Sequence, residues 1–204
     1  KADESESTPE KEDTGVQNDL VEDYLDRHQE MQEVIDDANL SGILNCKQGH
    51  GALTEKGRKQ AQSAADWFTD RDIHRIYTSP FERAQNTARL IAEHLDLEVI
   101  ILDELRENDC GDLEGETFDD AWETWAAVFE RWKRGEWDAT YPGGESFRQA
   151  YDRFHSALKQ AKSDENTIMV SHGGITRAVV PFMCVNAAAL QRVESVYYSH
   201  MILL

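Results

Sequence analysis

Two short stretches of the sequence carry residues suited to holding a phosphoryl group. Ser171-His172-Gly173-Gly174 follows the apolar run Thr167-Ile168-Met169-Val170, and Tyr77-Thr78-Ser79-Pro80 is followed by a cation at Arg83. A histidine directly after a short buried strand stands at the strand's carboxyl end, where open α/β sheets bind ligands, and Gly173 and Gly174 let backbone approach a bound group closely. Arg83 falls in the first turn of the helix that Ser79-Pro80 introduces, and its planar fork of donors matches phosphate oxygens. Phosphomonoester hydrolysis needs such cations, a nucleophile or activated water, and an acid for the departing oxygen.

These stretches are two of six that occur in the order found in the histidine phosphatase superfamily, which the sequence resembles from about residue 39 to 204. The others are Gln48-Gly49-His50, Leu53-Thr54-Glu55-Lys56-Gly57, Leu105-Arg106-Glu107 with Gly111-Asp112-Leu113-Glu114-Gly115, and Pro142-Gly143-Gly144-Glu145-Ser146. Each is weak alone, and their order carries the resemblance. It implies a phosphoglycerate mutase-like fold: a three-layer α/β/α sandwich with a mostly parallel central sheet and a helical cap inserted over the site. It further implies a phosphohistidine intermediate without metal or cofactor. Arg83 and Gly173 would bind the phosphate, His172 would stabilise the transition state, and Glu107 would protonate the leaving group. Asp109, Asp112 and Glu114 stand near Glu107, and Glu104 is a weaker substitute for it. His50, His74, His94, His155 and His200 lack comparable context. The short chain favours a phosphatase over a glycolytic mutase, with a small phosphorylated compound or a phosphoprotein as substrate.

The family's nucleophile belongs to an Arg-His-Gly tripeptide at the end of its first strand, and no such tripeptide occurs in this chain. Taking Asn39 as the asparagine that follows the motif puts Gln32-Glu33-Val34 in its place. The one Arg-His pair, Arg27-His28, is followed by Gln29 and preceded by Val21-Glu22-Asp23-Tyr24-Leu25-Asp26, too charged for a buried strand and closer to a weak helix. Three readings stay open. Arg27-His28 is a displaced nucleophile motif, the chain is a degenerate relative that binds phosphorylated ligands without turning them over, or a gene-model artefact has replaced the first strand.

Periodicity supplies the elements that would position these residues. Thr54 reads as an N-cap before a helix with Ala61, Ala64, Ala65 and Phe68 on one face, ending near Asp70. Strands are expected over 73–77, 97–102 and 167–170, the last of them central, and helices over 81–94, 145–160 and 175–185. Trp122, Trp125, Phe129 and Trp132 recur at steps of three and four, which predicts the buried face of one helix, some of whose rings could also wall the substrate pocket. Tyr198 to Leu204 reads as a closing strand still apolar where the sequence stops, as a truncated end would be. The expected organisation is an acidic disordered tail over 1–19 and a phosphatase-like domain over 20–204, with the cap at about 116–141.

The formal charge is −19 over 204 residues, with 14 acidic and 3 basic side chains in the first 40 positions. That balance argues against nucleic acid as a partner, since phosphate backbones need the opposite sign. It leaves open an acidic arm for a basic partner or adaptation to high salt. Three cysteines, Cys46, Cys110 and Cys184, are odd in number and widely spaced, which argues against a disulfide framework and for a reducing, cytoplasmic setting. Cys46 and His50 alone do not make a metal site. No apolar run is long enough to span a bilayer, so no membrane partner is expected, and the start at Lys1 leaves a cleaved leader open.

Overall fold

Thr54 begins helix α1 (Glu55–Phe68) as the sequence predicts: its side chain accepts a hydrogen bond from Gly57 N at 3.0 Å, and Ala61, Ala65, Trp67 and Phe68 turn inward. Strand β1 (Ile73–Thr78) follows, becoming fully buried over its last three residues. Helix α2 (Glu82–Leu95) buries Ala84, Ala88, Ile91 and Ala92 and ends at Asp96, whose φ of 55° is the left-handed conformation that closes helices. Strand β2 (Val99–Ile101) leads into two single turns of 3-10 helix, Asp103–Leu105 and Gly111–Leu113, then α3 (Phe118–Lys133), α4 (Phe147–Ala161), β3 (Asn166–Val170) and α5 (Gly173–Met183). The computed structural model describes residues 42–47, 52–161 and 166–183, which belong to one compact unit.

The three described strands run parallel in the order β2-β1-β3, the sheet of an α/β fold. α1 packs against α2, and α4 against α5. Register carries the fold into the site. Thr78 lies opposite both Ile101 and Val170, and Ser79 N donates to Val170 O at 3.0 Å, so β1 and β3 end side by side. Ser79-Pro80 and Ser171-His172 thus leave the sheet together, at the carboxyl ends where parallel sheets present ligands.

The aromatic stripe of α3 is the main correction. Its spacing predicts a buried face, yet the buried residues are Ala121, Val128 and Trp132, while Trp122 keeps 50% of its surface exposed. The rings lie along the helix surface and shelter one another: Phe118 to Trp122 at 5.3 Å, Trp122 to Trp125 at 5.6 Å and Trp125 to Phe129 at 5.2 Å. Residues three and four apart share a side of a helix, and rings on that side can meet each other instead of the core. Trp132 alone goes under, donating from Nε1 to Ala139 O at 2.8 Å and meeting Tyr141 edge-on at 5.2 Å.

Smaller differences are local. β2 has three residues rather than six, and α5 starts at Gly173 rather than Ile175. β3, expected in the sheet centre, pairs among the described residues with β1 alone. Among the described residues, no helix is long and apolar enough to cross a membrane. The expectations for the tail over 1–19, Arg27-His28, Gln32-Glu33-Val34, Asn39, Gln48-Gly49-His50, Cys184, His200 and the closing strand fall outside the described residues.

Candidate active site

His172 sits between the ends of β3 and α5, 8% exposed, with Nε2 2.7 Å from Ser79 Oγ. Ser79 is completely buried and accepts from Phe81 N at 3.2 Å, so its hydroxyl proton can point at Nε2. The Phe81 ring stands 5.1 Å from the imidazole, and Thr176 Oγ1 donates to the His172 carbonyl at 2.7 Å. Burial pushes the imidazole well below its ordinary titration range, and the positive charges of Arg83 and Arg153 push it further down. His172 is therefore a neutral, fixed imidazole near neutral pH.

Arg83, in the first turn of α2, donates from Nη2 to Asn45 O at 3.0 Å and from Nη1 to Lys47 O at 3.4 Å, with its guanidinium 5.1 Å over the Phe81 ring. The segment 42–47 thus shares a side chain with the site. That segment is itself pinned to the loop after the second 3-10 turn, since Leu44 N donates to Glu116 O and Gly115 N to Leu44 O.

Glu107 faces the start of α5. Its Oε1 accepts from Ile175 N at 2.6 Å and from Asn108 N at 2.8 Å, and its Oε2 accepts from Gly174 N at 2.9 Å. A carboxylate at a helix N-terminus satisfies amides that have no partner within the helix. The acidic neighbours expected to crowd Glu107 are engaged elsewhere: Asp109 with Gly111 N and Lys47, Glu114 with Cys46 N and Lys47 N. A Cβ on Gly174 would come within 2.8 Å of Glu107 Oε1, so glycine is required there for the carboxylate to reach the helix. At Gly173 a Cβ would meet nothing within 4 Å among the described residues.

The loop that carries Glu107 is held by Arg153 of α4, a residue with no mark in the sequence. Its guanidinium donates to the carbonyls of Glu104 (2.8 Å), Arg106 (2.7 Å) and Glu107 (3.0 Å) and grips Glu145 through both Nη2 and Nε, at 2.6 and 3.1 Å. Glu145 also accepts from Asp109 N at 3.0 Å, so one buried ion pair fixes both ends of the 104–109 loop. Below it, Gly111 has φ +59°, and a Cβ there would lie 2.1 Å from Pro142 O. The Pro142-Gly143-Gly144 turn is in this way fitted against the Gly111 turn.

Of the residues predicted from the sequence, Arg83, Glu107, His172 and Gly173 meet at one end of the sheet. Sequence reasoning missed Ser79, Glu145 and Arg153, of which only Arg153 lay outside a quoted motif, and it read Gly174 as admitting a bound group where the structure sets it against Glu107. It also missed that Cys46, Cys110 and Glu114 come together, their ligand atoms within 4.8 Å of one another. The neighbouring Cys110 thiol, burial and the carboxylates of Glu107 and Glu114 push the Cys46 thiol strongly up.

The described strands thus form the parallel sheet of an α/β protein, with a buried histidine at its carboxyl end and an arginine and a glutamate close by. The chain belongs to the histidine phosphatase superfamily (branch 1), whose sequence profile matches residues 24–203. It is 37% identical over 141 residues to a 2,3-bisphosphoglycerate-dependent phosphoglycerate mutase of Methylorubrum populi, covering 63% of this chain and 65% of that one. It is 32% identical to phosphoserine phosphatase 1 of Hydrogenobacter thermophilus, over 62% of each chain. Among solved structures, a mycobacterial glucosyl-3-phosphoglycerate phosphatase in complex with VO3 superposes with a TM-score of 0.62 at 27% identity, over 74% of this chain and 78% of that one. The chain thus spans less than two thirds of the length of the two curated relatives.

Proposed function

We propose that the chain is a phosphomonoester hydrolase of the histidine phosphatase type, acting on a small phosphorylated compound or a phosphoprotein. The observation that carries this reading is the neutral, buried His172 fixed by Ser79 beside Arg83, with Glu107 anchored one turn away on α5. In this mechanism a histidine displaces the alcohol from phosphorus in line, Glu107, once protonated and released from the α5 amides that hold its carboxylate, gives the departing oxygen its proton, and water then takes the phosphoryl group to release inorganic phosphate. Arg83 and the Gly173 backbone hold the phosphoryl oxygens, and His172 donates to them as charge builds. In the reading that takes Arg27-His28 as a displaced motif, His28 is the attacking histidine.

Hydrolysis of p-nitrophenyl phosphate, with and without EDTA, tests the reading on the parent and on His172→Ala, Arg83→Ala and His28→Ala. Turnover lost in all three supports it. A folded parent without turnover rejects it in favour of a second reading, a non-catalytic protein that binds phosphorylated ligands. The absence of an Arg-His-Gly tripeptide favours that second reading. A rise in melting temperature with phosphate, abolished in His172→Ala, would then identify the binder.

A further inference from the structure

We propose that Cys46, Cys110 and Glu114 form a binding site for a thiophilic divalent cation of the Zn2+ class, separate from the phosphoryl-handling residues. Three donors from two distant parts of the chain converge here. Cys110 Sγ lies 3.5 Å from Glu114 Oε2, and all three ligand atoms lie within 4.8 Å of one another. In a tetrahedral zinc site the edges between such ligands are about 3.5 to 3.8 Å, so no edge of the cluster needs to contract by more than about 1.3 Å.

The carboxylate is already aimed. Glu114 Oε2 accepts from Cys46 N at 2.8 Å and Oε1 accepts from Lys47 N at 3.3 Å, the kind of outer hydrogen bonding that orients a ligating carboxylate. Cys110 is 1% exposed and Cys46 half-buried, and a water or an exogenous ligand would complete the fourth position of such a site. The ligand set is two soft sulfurs and one oxygen, which selects zinc-like ions over magnesium or calcium.

A bound ion would tie the 42–47 segment to the Gly111 turn. Because Arg83 donates to the carbonyls of Asn45 and Lys47 on either side of Cys46, it would also fix the backbone against which Arg83 rests.

The test is titration of the full chain, reduced with a phosphine, with Co2+ as a spectroscopic stand-in. The expected result is one equivalent bound with a thiolate-to-cobalt charge-transfer band and intense tetrahedral visible bands. Both should be lost in Cys46→Ser and Cys110→Ser, weakened in Glu114→Gln and unchanged in Cys184→Ser. Because Cys110 is buried and its variant could fail to fold, X-ray absorption of the Zn2+-loaded parent gives a second measurement, with two sulfur scatterers at about 2.3 Å and oxygen at about 2.0 Å. Absence of the bands, bands that survive Cys46→Ser in a folded protein, oxygen and nitrogen scatterers alone, or a Cys46–Cys110 disulfide in place of metal uptake would overturn the proposal.

Discussion

Replacing Arg153 by methionine should be among the most damaging single changes in the described structure, through a mechanism that can be isolated. The side chains of Arg153 and Glu145 are 10% and 9% exposed and lie 2.6 Å apart. Methionine keeps much of the side-chain volume but leaves the Glu145 carboxylate buried without its counter-charge, and the carbonyls of Glu104, Arg106 and Glu107 without their donor. Breaking a buried ion pair by removing one partner costs about 3 to 5 kcal/mol, and water can reach part of the loop, so the carbonyls add little beyond that range. For a chain of this size the loss corresponds to a fall in melting temperature of about 6 to 20 °C. Urea unfolding measures it, and Arg153→Met combined with Glu145→Leu should be less unstable than Arg153→Met alone, because the stranded charge is gone. The same variant should raise the titration of His172 in NMR, since the Arg153 charge helps to hold it down. A variant within about 1 kcal/mol of the parent, or a double variant whose losses simply add, would show that the pair does not hold the loop.

Three further outcomes follow from the site and the core. Gly174→Ala should cost about 1 to 3 kcal/mol, because its Cβ would push the Glu107 carboxylate off the Gly174 and Ile175 amides, and the displaced carboxylate should cut aryl phosphate turnover at least tenfold. Trp132→Ala should lose about 3 to 5 kcal/mol in urea unfolding while Trp122→Ala, half exposed, stays within about 1 kcal/mol; equal losses would restore the buried-stripe reading. His172 titrates below its unfolded value of about 6.5, so the unfolded chain takes up protons first as pH falls. Its contribution is therefore intact above about pH 7 and is lost below about 6.5 by up to about 1.4 kcal/mol per pH unit until the folded histidine also protonates. Unfolding curves of the parent and His172→Gln, compared from pH 7.5 to 5, should diverge in that window and nowhere above it.

The parts of this fold that were legible are those governed by neighbours in sequence. Thr54 and its cap, the Ala84-Ala88-Ile91 face and the histidine after an apolar strand all follow from spacing of a few residues. What was not legible depends on contacts between distant residues. Ser79 and His172 are 93 positions apart, Cys46 and Glu114 are 68 apart, and the Arg153 hydrogen bonds reach back 46 to 49 positions. The tryptophan stripe fails for a related reason. A helical period states which residues share a side, not what that side meets, and in α3 the rings meet each other.

Strand register decides which side chain of the second motif reaches the site. Thr78 opposite Val170 sets Ser79 level with the residues that follow β3, and alternation along an extended chain then sends successive side chains opposite ways. Ser171 accordingly donates to Leu105 O at 2.7 Å, bracing the Glu107 loop, while His172 turns to Ser79. A slip of one residue would exchange the two roles and leave a serine where the imidazole belongs. The same geometry constrains the nucleophile. In-line transfer requires the attacking and departing oxygen or nitrogen atoms on opposite sides of phosphorus, so if Glu107 serves the departing side, the attacking histidine must come from the side of the phosphoryl group away from α5. His28→Cys tests the displaced-motif reading of the sequence: loss of turnover with phosphate binding retained supports it, and parental turnover takes Arg27-His28 out of the mechanism altogether.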